Sequence, residues 1–124
     1  MTSHEAESPV PDSDGVGEVV RSIEISPAAL AATTAFRRIA LAPLGRAGTV
    51  LTARRDLGGA FVLCVTGGTT RPEVLRFKAV PAADELAAAV AAVPTWFSDA
   101  HGAADWRAAV SGLLAEEIRQ ELSR

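Results

Sequence analysis

Residues 56–70 read DLGGAFVLCVTGGTT, and the fold turns on this stretch. Ala60 to Thr66 is an apolar run too short for a typical helix and rich in β-branched and aromatic side chains. Turn residues close it on both sides: Asp56-Leu57-Gly58-Gly59 before it, Gly67-Gly68-Thr69-Thr70 after it. The run predicts a central strand covered on both faces. Turns this short join antiparallel neighbours, so a strand is expected on either side. Residues 48–55, GTVLTARR, supply the preceding one, with imperfect alternation. Residues 73–80, EVLRFKAV, supply the next: Leu75, Phe77 and Ala79 alternate with Arg76 and Lys78.

Toward the C-terminus, Pro81 to Asp84-Glu85 reads as a helix start, with acids in the first turn where the helix dipole favours them. Leu86, Val90 and Val93 form its apolar stripe, and Pro94 ends it. A loop over 95–102 holds Trp96, Phe97 and Gly102. A last helix is expected over about 103–122, with Trp106, Val110, Leu113, Leu114 and Ile118 on one face at 3.6 residues per turn.

Toward the N-terminus, Ser26 can cap a helix and Pro27 suits its first position. Good helix formers from Ala28 to Leu41 predict a helix ended by Pro43 and Gly45. Before it, Val19, Ile23 and Ile25 line one side of residues 18–25, EVVRSIEI, which reads as a short edge strand. Residues 1–17 are dominated by Ser, Pro, Asp, Glu and Gly and read as an acidic disordered tail. The remainder, 18–124, makes a single α+β domain. The expected order is β-α-β-β-β-α-α, a small antiparallel sheet with helices packed on one face. The core is expected to include Phe36, Phe61, Phe77, Trp106 and Leu113.

The charge is segregated. Residues 1–18 carry five acids and no Lys or Arg; residues 37–78 carry eight bases and two acids; residues 79–124 carry seven acids and three bases. Eleven of the twelve bases are arginine, which with the alanine excess suggests a high-GC genome of the actinobacterial kind. The single cysteine, Cys64, excludes an internal disulfide and fits a reducing cytoplasm. No apolar run approaches the length of a membrane helix, and residues 1–8 lack the pattern of a secretory signal.

Catalytic residue types are scarce. The histidines are His4, in the tail, and His101, in a loop beside Asp99 and Asp105; a proton-shuttling pair needs a third partner that the motif lacks. Cys64, in mid-strand, reads as an inert core thiol rather than a nucleophile. Gly67-Gly68-Thr69-Thr70-Arg71 lacks the lysine and following helix of a phosphate-binding loop. Glu116, Glu117 and Glu121, near Arg107 and Arg119, read as the solvated face of the last helix. Trp96 and Phe97 read as a plug at the sheet's end, and alternatively as a partner anchor. No catalytic residue, metal ligand or cofactor is assigned.

The basic middle is the one binding candidate: Arg54, Arg55, Arg71, Arg76 and Lys78 are expected to converge on one sheet surface. Such a patch attracts an acidic protein, an anion or a nucleic-acid backbone. A solvated, aggregation-resistant sheet face explains the same charges. An acidic chain and the lack of interleaved exposed aromatics weigh against nucleic acid.

The run from Gly48 to Val93, three strands followed by VPAADEL and an alanine-rich helix, resembles the repeat unit of actinobacterial type VII secretion chaperones over under half the chain, in patterning. The resemblance implies an α+β unit that binds another protein. The expectation is therefore a non-enzymatic cytoplasmic protein-binding module, an adaptor, chaperone-like or regulatory accessory protein, with a homodimer compatible. Nucleic-acid or anion binding through the basic face is the alternative, and a small enzyme or ligand-binding protein using His101 or Cys64 is the third reading.

Overall fold

The computed structural model describes residues 17–124, so the expectation of an acidic disordered tail and the position of His4 lie outside the described residues. A short helix α1 (Pro27–Leu30) leads into four strands, β1 (Thr33–Ala40), β2 (Ala47–Arg55), β3 (Phe61–Thr66) and β4 (Glu73–Phe77). Helices α2 (Ala83–Ala91) and α3 (Ala104–Leu122) follow. The strands form one antiparallel sheet in sequence order, a meander with β1 and β4 at its edges. The α+β class and the antiparallel sheet with helices on one face are as expected.

The difference lies at the N-terminal end, where strand and helix change places. The helix expected over 28–41 stops after one turn. Ser26 Oγ accepts from the N–H of Ala29 at 3.1 Å and Pro27 occupies the first turn, so the start signals are used. Ala31 already caps the C-terminus. From Thr33 onward the chain pairs with β2, Ala35 opposite Ala53 and Arg37 opposite Leu51. A one-turn nucleus carries little stability of its own, and eight residues of ladder plus burial outweigh alanine's preference for helix. The strand expected at 18–25 is instead unpaired coil, leaving Val19, Ile23 and Ile25 exposed. The C-terminal expectations hold more closely, except that β4 ends at Phe77 rather than Val80.

One face of the sheet carries the core. Leu51, Ala53, Phe61, Leu63 and Val65 point under the helices and meet Leu86, Val90, Ala115, Ile118 and Leu122. Phe61 and Phe77 pack with ring centroids 6.0 Å apart. Each fully buried large side chain contributes about 1.5–3 kcal/mol before entropy is counted. The expected apolar face of α3 is rotated. Arg107, Ser111, Ala115, Ile118 and Leu122 are its buried residues, while Leu113 is 70% exposed.

Arg107 is therefore no part of a solvated face. It is 1% exposed, and its guanidinium donates to Gly48 O at 2.8 Å, Phe97 O at 2.6 Å and Asp99 Oδ1 at 2.9 Å. The group lies 4.5 Å from the Phe97 ring centroid. One side chain thus ties α3 to the start of β2 and to the loop before α3. The approach demands glycine: a Cβ on Gly68 would lie 2.5 Å from Gly48 O, and one on Gly48 would lie 2.5 Å from the Trp106 ring. One turn further along α3, Ser111 and Thr49 join buried hydroxyls at 2.8 Å.

Glu117 and Glu121 reach across to β1, where Arg37 meets them at 2.9 Å and 3.5 Å. They act as a tether between α3 and the edge strand as well as facing solvent.

Candidate functional site

Strand alternation sends every second residue away from the helices. The register aligns these residues into cross-strand rows. Thr34, Arg54, Val62 and Arg76 form one row; Phe36, Thr52, Cys64 and Val74 form the next. Arg38, Val50 and Thr66 form a third. This central row, apolar but for Thr52, is thus bracketed by rows containing arginine. Among the described residues no helix covers it: Phe36 is 57% and Val74 46% exposed, and the surface forms a shallow concavity of about 1140 Å³. The run Ala60–Thr66 is covered on one face only, contrary to the expectation from its composition.

The five basic candidates separate. Arg54 and Arg76 lie on the open face in one row, two strands apart, about 10 Å between backbones. Arg71 stands at the rim in the turn before β4, with its side chain 70% exposed. Arg55, the neighbour of Arg54, necessarily points the other way. It reaches the end of α3, donating to Leu122 O and, at 3.1 Å, to Arg124 O, where a cation satisfies the last carbonyls. Lys78 is exposed in the bend after β4 and outside the strand. The convergence expected of all five thus holds for Arg54 and Arg76, with Arg71 alongside.

The patch is partly neutralised at its edges. Arg54 pairs with Asp56 at 3.0 Å, and Arg71 with Glu73 at 3.0 Å. The Arg71 hydrogen bond, followed by one from Thr95, holds the Glu73 carboxyl below its ordinary range. Arg38 donates to Gly45 O. The site is an apolar strip with a cationic border, not a uniformly basic plate.

Reactive chemistry finds little support here. Cys64 is half-buried in the central row, and burial pushes its thiol up, against the thiolate that a nucleophile needs. His101 contacts Asp99 through its main-chain N–H, at 2.7 Å. That bond, with the charge of Arg107, holds Asp99 low. Asp99 is thereby engaged in the Arg107 clamp. Trp96 packs against the core and Phe97 lies under Arg107, both at one end of the sheet. Among the described residues no group of His, Cys, Asp and Glu is placed to hold a metal ion, and no helix is long and apolar enough to cross a membrane.

Phe36, Val62 and Val74 are the site residues that sequence reasoning missed. The helix expected over 28–41 sends Phe36 to the core. The sequence carries no clean strand period here, since each face mixes apolar and charged residues, Phe36 with Arg38 and Ile39 with Arg37.

Comparison with known proteins adds no relative: no family model matches the chain, and neither the curated proteins nor the solved structures contain a significant match.

Proposed function

We propose that the chain is a non-enzymatic protein-binding module that holds its partner on the open face of the sheet. One observation carries this reading: an antiparallel sheet that buries one face under two helices leaves Phe36 and Val74 uncovered on the other, between rows bearing Arg38, Arg54 and Arg76. An exposed, largely apolar surface with a polar border is the usual anatomy of an interface. The partner that fits presents apolar side chains along a narrow ridge, with carboxylates at its flanks to meet the arginine fork. We take the compartment to be cytoplasmic, a reading supported by the single cysteine.

A photo-crosslinking residue placed at Phe36 in the full chain, in its native cells, tests the proposal. The same residue at Leu113, exposed on α3, serves as control. A discrete adduct formed from position 36 and not from 113 is the expected result. Identical adducts from both positions, or none from 36, contradict it.

Nucleic acid is the second reading, favoured by Phe36: an exposed aromatic among arginines is a platform on which a base can stack. Binding of single-stranded oligonucleotide at low salt that weakens steeply as salt rises, and is lost in Phe36→Ala, is the result this reading requires.

A further inference from the structure

Near the start of the described residues lies an apolar segment that the fold does not use. Residues 18–25, EVVRSIEI, are exposed throughout, Val19 by 90% and Ile23 by 68%, and enter no backbone hydrogen bond. Val19, Ile23 and Ile25 fall on one side at the strand period, with Arg21 between them. Four β-branched apolar residues in eight, with no proline or glycine, suit a sheet better than water.

The same chain offers a sheet edge of matching length. β1 is an edge strand of eight residues, and no strand among the described residues lies on its outer side. Stretched out, β1 and residues 18–25 are each about 26 Å long. β4, the other edge, has five residues and follows Pro72, so it offers fewer N–H groups. Arg37 and Arg38 keep their contacts with Glu117, Glu121 and Gly45 O, and a ladder of main-chain bonds asks nothing of them. Phe36 O accepts from the Arg37 guanidinium at 2.9 Å, and a carbonyl has a second lone pair.

The segment is not folded back on its own β1. The connection over 26–32 is taken up by α1, with Ser26 as its cap and the Ala32 N–H bonded to Ala29 O. We propose that residues 18–25 add as a strand to the β1 edge of a second copy, and that two copies exchange these segments reciprocally. Each copy then fills the other's edge, so the pair closes with two-fold symmetry and leaves no β1 edge to propagate. Val19, Ile23 and Ile25 take the open side, beside the exposed Phe36, where β-branched residues meet an aromatic neighbour. The two strand contacts, each about 26 Å by 10 Å, bury about 1,000 Å² in all, the size at which a specific interface begins. The sheet gains a strand and its open face stays open, so the pairing does not rest on the reading of that face.

Sedimentation of the full chain tests the pairing. The parent chain is expected at twice the chain mass at concentrations on the order of 10 µM. Ile23→Pro removes one N–H from an exposed segment. It is expected to weaken association at least about tenfold and to leave the urea midpoint of the monomer unchanged. Val19→Lys with Ile23→Lys keeps every N–H and is expected to weaken association as well, through the lost apolar side. A photo-crosslinking residue at position 23, in an equal mixture of isotope-labelled and unlabelled chains, identifies the acceptor. Adducts that join labelled to unlabelled chain and map to residues 33–40 are the expected result. A parent chain that sediments as a monomer overturns the proposal, as does a dimer that Ile23→Pro leaves equally tight. Adducts confined to single chains assign the segment to its own β1 and overturn it too. At position 36, an adduct of two identical chains reports the added strand and one with a foreign protein reports the open face, so failure of either reading is seen separately.

Discussion

Arg107 shows what one side chain can organise. Its fork satisfies two backbone carbonyls and a carboxylate from segments far apart in the chain. Replacing it with leucine leaves Gly48 O and Phe97 O without that donor, and we expect a loss of about 3 kcal/mol in urea denaturation. Arg107→Lys recovers only part of this, because an ammonium cannot match the planar fork. The Thr49–Ser111 pair behaves differently. Thr49→Val takes the buried Ser111 hydroxyl's threonine partner away and costs about 1–3 kcal/mol; Ser111→Ala costs less, because Thr49 Oγ1 keeps its 3.4 Å bond to Thr66 O, and the double variant costs less than the two singles combined. None of this was legible in the sequence. An arginine on an amphipathic helix reads as surface by default, and what reverses that reading is a gap left by Gly68 and Gly102, visible only once strands and helix are assembled. Gly68→Ala is expected to destabilise by about 1–3 kcal/mol, because its Cβ would meet a backbone oxygen that cannot rotate away.

At the scale of elements, β2, β3, β4, α2 and α3 could be read from turn glycines and periodicity, and β1 could not. Its alanines favour helix locally, while its ladder with β2 and the grip of Glu117 and Glu121 on Arg37 are long-range. The same misassignment hid the site, since Phe36 belongs to β1. Helix α3 carries the clearest pH signature. Arg119 chelates Glu116 with two 2.7 Å bonds and holds that carboxyl at about 2. A depressed folded-state value stabilises above the unfolded value of about 4.3, and that contribution disappears as pH falls through it toward 2. Asp99 shifts in the same direction. Stability followed from pH 6 to pH 2 should decline over this window. Glu116→Gln should flatten the decline modestly, by no more than about 1 kcal/mol, because the pair is partly in water.

For the whole molecule, the organising fact is a sheet with two unlike faces: one closed by α2 and α3, the other an apolar strip bordered by arginines. The α+β class and the helices on one face followed from the order of elements, whereas the composition of the β3 run alone pointed to cover on both faces. Proteins keep such a surface at some risk of aggregation, which a bound partner offsets. If the face exists for binding and not for packing, charge placed on it must leave the fold intact. The direct measurement is the unfolding free energy, in urea, of Phe36→Asp with Val74→Asp, beside Phe61→Ala on the closed face. The account predicts that the open-face pair stays within about 1 kcal/mol of the parent chain. It predicts that Phe61→Ala loses about 3–5 kcal/mol. A comparable loss in the open-face pair would mean that this surface is part of the core, and would contradict the account.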